Sequence, residues 1–131
     1  MELVSLTVPK GAWRLRPTVL LAAWWALWAT LRTRRELAAG VVSPVVRRPP
    51  ELPASAGIGV DAALTRLHAT CLESSLVRQR WFAAHGVECA IVIALPAVGF
   101  GDTPAHAWLD GIDVGPVDEH VELHRLEMPG I

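Results

Sequence analysis

The order of elements in the sequence predicts an α+β fold, in which a helix opening at Cys71 packs on a small antiparallel sheet. Three observations carry that prediction. Helical patterning runs from Pro17 to Gly86, a proline- and glycine-rich stretch at residues 40–59 divides it, and the apolar runs read as buried strands follow after Gly86, with residues 1–16 read as a short strand or a loose arm.

Size and composition bound the possibilities. At 131 residues the chain has the length of one domain, drawn here as an N-terminal helical segment with a Pro-rich linker at 1–59 and a core at 60–131. A hydrophobic content of 52% suits a packed interior, and a formal charge of −1 gives no electrostatic footprint for nucleic acid. The two cysteines, Cys71 and Cys89, do not make a disulfide scaffold, so a reducing, cytoplasmic compartment is expected.

Residues 1–16 are mixed, broken by Pro9 and Gly11. Pro17 suits the first turn of a helix running to Leu31, apolar on every side and uncharged until Arg32. At 1.5 Å per residue this run is about 22 Å long, short of the ~20 apolar residues that cross a bilayer. It also begins late for a signal peptide and is followed by arginines rather than a small-residue cleavage site. All-round hydrophobicity therefore predicts a helix buried in this protein or against a partner, with membrane contact not expected. After the 40–59 linker, Asp61 is expected to cap a short helix from Ala62 to Ala69.

The Cys71 helix is the most strongly signalled element. Thr70 is its N-cap, Glu73 completes a capping box, and Gly86 is its C-terminal stop. The unsatisfied N–H groups and partial positive charge of a helix start favour a thiolate and can hold an oxyanion. Three strands should follow: Val87 to Leu95, Ala105 to Leu109, and Ile112 to Val117 beyond the tight turn Asp110-Gly111. His120 and His124 fall in a C-terminal tail, read as solvated.

A nucleophilic cysteine needs a base, and the base needs a third group to fix its tautomer. His106 is the natural base. Strand alternation puts it on one face with Trp108, opposite Ala105, Ala107 and Leu109. Asp118 lies where a returning strand could bring a carboxylate to His106; Asp110 and Asp113 compete for that role, with Asp113 free to point to solvent.

Cys71-Leu72 opening a helix, Gly86 before an apolar strand, Ala105-His106-Ala107-Trp108-Leu109-Asp110 and the downstream Asp118 together resemble the transglutaminase-like cysteine peptidases of lasso peptide biosynthesis. These B-protein enzymes cut the leader from a ribosomally made precursor. The resemblance covers the chain from about Asp61 to about His120, and departs from the commonest pattern at Asp110, where Glu is usual. It implies a papain/transglutaminase-like cysteine protease core, with Cys71 as nucleophile, His106 as general base and acid, and Asp118 as orienting acid. No cofactor or metal is implied. With no room for a winged-helix recognition domain, the chain resembles the stand-alone protease of a split system. Its expected partners are the precursor leader, a separate leader-recognition protein and the ATP-dependent lasso cyclase that acts next. Trp24, Trp25 and Trp28 are the expected docking surface.

Other readings compete. The same Cys, His and Asp set serves acyl transfer to an amine as well as hydrolysis, and the fold could serve as an inactive scaffold. His68-x-x-Cys71 and His85-x-x-x-Cys89 have zinc-like spacings, but Cys71 and His85 would stand at opposite ends of one helix. His68 and His85 are read as surface histidines, and Cys89 as a buried, inert thiol.

Overall fold

The computed structural model describes residues 16–41, 44–96, 106–113 and 120–127. Within them, α1 (Pro17–Ala38), a 3-10 turn (Ala54–Ala56), α2 (Gly57–Arg66) and α3 (Cys71–Ala84) precede β1 (Ile91–Pro96), β2 (His106–Leu109) and β3 (His120–Leu126). The helices come first and the strands last, as the patterning predicts. All pairings are antiparallel in the order β2-β1-β3.

Helix α1 runs past the expected end at Leu31 to Ala38. Arg32, Arg34, Arg35 and Glu36 are good helix formers, so the charged stretch continues the helix instead of ending it. Gly40, read as linker, is the true stop. At φ 91° it lets Val41 N–H donate to Glu36 O and Gly40 N–H to Leu37 O, the Schellman pattern. No helix among the described residues is long and apolar enough to cross a membrane.

Helix α1 is buried within this protein on one side only, and of the three tryptophans expected to form a docking surface only two are exposed. Val19, Ala22, Trp25 and Ala26 are buried, whereas Trp24 is 60% and Trp28 56% exposed, beside exposed Leu20 and Leu21. Trp25 is thus an internal residue, 5.8 Å from the Trp81 ring and donating through Nε1 to Arg47 O at 3.1 Å.

Helix α2 begins at Gly57, with Asp61 inside it rather than capping it. The glycines that read as linker are contact points. A Cβ on Gly59 would stand within contact distance of Val19 O and 3.1 Å from Ala23 N, so α1 and α2 meet backbone to backbone. The helix ends on His68 at φ 50°, where Ala69 N–H reaches Leu64 O in the same Schellman pattern, here without a glycine.

Strand β1 starts at Ile91, because Val87 is held in the α3 cap, its N–H donating to Phe82 O beyond Gly86 at φ 82°. The third strand is His120–Leu126 rather than 112–117. Ile112 and Asp113 fold back on Leu109, both donating to its carbonyl, while residues 114–117 lie outside the described part. The segment read as a tail is an edge strand, and the exposed charges of Glu122 and Arg125 that hid it suit an edge that must not pair further. Register shifts between Ile93, opposite His124, and Ala94, opposite Glu122.

Ile91 pairs with both Leu109 and Leu126, and this row across the sheet is buried against the helices. One core cluster joins it to Leu76, Val77 and Trp81 of α3, Val60 and Leu64 of α2, and Ala22, Trp25 and Ala26 of α1. Residues on both sides of the 59/60 boundary therefore share one interior. Each fully buried Leu or Ile contributes roughly 2 kcal/mol through area removed from water.

Two glycine exchanges should move stability in opposite directions. Gly59→Ala forces α1 and α2 apart and should cost about 2 kcal/mol or more. His68→Gly relieves a left-handed residue and should gain about 0.5–1 kcal/mol. Urea unfolding followed by circular dichroism, with unchanged m-values, checks both.

Candidate active site

Cys71 is the first residue of α3 and is exposed. The predicted capping box is present: Thr70 Oγ1 accepts from Glu73 N–H at 3.2 Å, and Glu73 Oε1 accepts from Thr70 N–H at 3.0 Å. The Glu73 side chain is only 6% exposed and does not stand alone. Arg34 of α1 donates from Nε to Glu73 Oε2 at 3.1 Å and from Nη2 to Glu73 Oε1 and Leu67 O, each at 3.0 Å. The paired Arg34 guanidinium holds the Glu73 carboxyl below the usual carboxylate range, against the opposing effect of burial.

His106 opens β2 opposite Ala94, is exposed, and shares its sheet face with Trp108 opposite Val92. Leu109, on the other face, is buried in the core. Among the strands, α3 packs mostly against β2. Its position there is set by polar anchors. Gln79 Nε2 donates to Cys89 O at 2.8 Å and Leu126 O at 3.0 Å, at the end of the sheet where β1 begins. Arg78 meets Asp113 in a two-bond pair of 3.0 and 2.9 Å, and Asp113 Oδ2 also accepts from Leu109 N–H. Partial burial pushes the Asp113 carboxyl up, but these three hydrogen bonds outweigh it and hold it below its ordinary value.

The two predicted residues thus stand on neighbouring elements, Cys71 at the start of α3 and His106 at the start of β2, against which α3 packs.

Asp118, the predicted third member, lies outside the described residues. Its two competitors are committed elsewhere. Asp110 accepts from Arg125 Nη1 at 2.8 Å, and Asp113, far from pointing to solvent, is bound to Arg78. Both sit at the Leu109 end of β2, a strand's length from His106.

Outside the site, His85 is not the surface histidine expected. Its Nδ1 lies 2.8 Å from Trp81 O and its Nε2 2.8 Å from Leu52 O, tying the proline-rich stretch to the end of α3. His68 is exposed and His124 is exposed on β3. Among the described residues no group of His, Cys, Asp or Glu could hold a metal ion. Cys89 is half-buried, and burial pushes its thiol up. Arg34, Arg78 and Gln79, which aim the Cys71 helix, were not singled out from sequence; the capping box at Glu73 was the one local signal leading to them.

Acid should weaken these anchors in a defined window. Carboxyls held below their unfolded values near 4 contribute stability that is present above about pH 5 and lost as pH falls through their folded values. The melting temperature should be flat from pH 7 to 5 and fall below about pH 4. Glu73→Gln and Asp113→Asn should each start lower at pH 7 and fall less steeply, as scanning calorimetry would show.

No curated protein and no solved structure matches the chain. A family model does, the transglutaminase-like superfamily, over residues 12–127, spanning the N-terminal helix, the Cys71 helix and all three strands. With a helix-borne cysteine beside a small antiparallel sheet and a family match over most of its length, the chain belongs to the transglutaminase-like superfamily, whose members are typically cysteine proteases or acyl transferases.

Proposed function

We propose that the protein is a cysteine peptidase that removes the leader from a ribosomally made lasso peptide precursor, with Cys71 as nucleophile, His106 as general base and acid, and Asp118 orienting His106. The observation that supports it most is the exposed Cys71 at the mouth of a capped helix packed against the strand that His106 opens. The resemblance of the Ala105–Asp110 block to the lasso leader peptidases supplies the substrate class.

In this reading the Cys71 thiolate attacks the carbonyl carbon of the last leader residue, forming a C–S bond and an oxyanion. The Cys71 backbone N–H at the helix mouth is one donor to that oxyanion. Collapse breaks the C–N bond as His106 gives its proton to the departing amine, leaving a thioester and a core peptide with a free N-terminus. Water then yields a proton to His106 and attacks the thioester, releasing the leader as a carboxylic acid and restoring the thiolate. The free amine is what an ATP-dependent cyclase, acting in the same cytoplasmic compartment, would join to an acidic side chain.

The separate leader-recognition protein is assigned to the exposed face of α1. Trp24, in edge contact with Trp28 at 5.7 Å, stands between two apolar grooves of about 390 and 460 Å³. Arg66 lines the first, Arg32 and Arg47 the second, and among the described residues neither lining contains a carboxylate, which suits an apolar partner surface with acidic flanks.

The test is cleavage of a lasso peptide precursor, with a leader-recognition protein, followed by mass spectrometry. Cys71→Ala and His106→Ala should each lower the rate about 10³-fold or more, and Asp118→Asn by a smaller factor. Products summing to precursor plus water support hydrolysis, whereas a new isopeptide bond with loss of ammonia would replace it with acyl transfer. Trp24→Ala with Trp28→Ala should weaken partner-dependent cleavage about tenfold, leaving partner-free cleavage unchanged.

A further inference from the structure

We infer that Arg34 is a positioning residue for the Cys71 nucleophile, setting the charge balance at the helix mouth from a different helix. This inference rests on the peptidase reading of Cys71 and deepens it.

Three contacts converge there. Arg34 grips both oxygens of Glu73 and, through the same Nη2, the carbonyl of Leu67 at the end of α2. Glu73 in turn holds the N–H of Thr70, the residue immediately before Cys71. The carboxylate therefore sits against the very end of α3 from which the thiolate would attack. A carboxylate in that place has opposed effects. It satisfies the cap, but its negative charge disfavours a thiolate at the same end of the helix and competes for the positive end of the helix dipole.

Arg34 removes that conflict. Its two-pronged pair leaves the capping hydrogen bonds in place and cancels the charge, so the cap can be complete without working against the nucleophile. A surface lysine would not do the same: the fork fixes the carboxylate oxygens in plane, and the bond to Leu67 O fixes the fork. The position of α1 in the fold follows from this role, since Arg34 reaches the cap only because α1 packs against α2 and α3.

Two roles for Arg34 predict different signs. If Arg34 only tied helices together, losing either partner of the pair would harm the site alike. If it balances charge, Arg34→Gln leaves an unbalanced carboxylate and should slow the thiolate, while Glu73→Gln leaves an unbalanced guanidinium and should not.

The experiment follows iodoacetamide labelling of Cys71 at pH 6.5 by peptide mass spectrometry, with Cys89 as the internal control for folding. In wild type, Cys71 should label well ahead of a free thiol. Arg34→Gln should slow Cys71 about five- to tenfold, from Coulomb repulsion at several ångströms in a partly screened setting. Glu73→Gln should match or exceed wild type, and the double variant Arg34→Gln, Glu73→Gln, which buries no unpaired charge, should recover most of the wild-type rate. Cys89 should label alike in all four. Equal slowing in the two single variants, or no change in Arg34→Gln while wild type is fast, overturns the positioning role alone. A wild-type Cys71 no faster than a free thiol overturns the peptidase reading and this inference with it. Should Arg34→Gln unfold, judged by fast Cys89 labelling, the double variant against Glu73→Gln decides: equal rates mean that Arg34 has no electrostatic effect on Cys71, and a slower double variant upholds it.

Discussion

A carboxylate withdrawn from water must have its oxygens matched, and at Glu73 that requirement organises three helices at once. One oxygen takes the Thr70 N–H and an Arg34 nitrogen, the other takes Arg34 Nε, and Arg34 carries on to the carbonyl ending α2. The start of α3 is therefore fixed to α1 and to the end of α2 through one side chain. At the far end of α3, Trp81 lies against Trp25 of α1 and His85 reaches Leu52 O. The helix bearing Cys71 is held at both ends by the N-terminal part of the chain, which makes that part a structural component of the site rather than an appendage.

The sheet is held to the same helix by a different logic. Apolar packing of Leu76 and Val77 favours contact with the strands but tolerates sliding, because dispersion and burial have little directionality. Gln79 and Arg78 do not tolerate it. A slip of α3 by one turn, about 5.4 Å, would break the bonds to Cys89 O, Leu126 O and Asp113 together. These polar contacts thus fix the position of α3, which bears Cys71, against the sheet that contains His106.

What was legible in the sequence was local. Thr70, Glu73 and Gly86 announced both ends of α3 because caps are written in adjacent residues. Asp110-Gly111 announced the turn after β2 for the same reason, with Gly111 at φ 83°. Glycines were misread wherever their reason lay across the fold: Gly59 serves the backbone of α1, Gly57 the Trp81 ring, and neither neighbour is near in sequence. Strand β3 was hidden because an exposed edge strand needs charges, and the run His120–Leu126 has them where a core strand would be apolar. Arg34 was unreadable as a site residue, since it is 39 positions from the carboxylate it serves. The cap before Cys71 could be found from sequence, but not the Arg34 charge that balances it.

The two long helices invert the ordinary sorting by polarity. Helix α3 buries Glu73, Ser75, Gln79 and Arg80, with Arg80 Nε finding no hydrogen-bond partner among the described residues, while α1 exposes Leu20, Leu21, Trp24 and Trp28. Stability alone would favour the reverse, because buried polar groups contribute little or cost stability and exposed apolar surface forgoes burial. On α3 the buried polar groups do what apolar ones cannot: they give the helix one register and one end position. On α1 the exposed tryptophans do nothing for the isolated fold, whose core already closes around Trp25 and Ala26. Both departures fall on the helices joined at Arg34 and Glu73. That coincidence fits a molecule whose one face aims a nucleophile and whose other face is shaped for a surface yet to be brought to it.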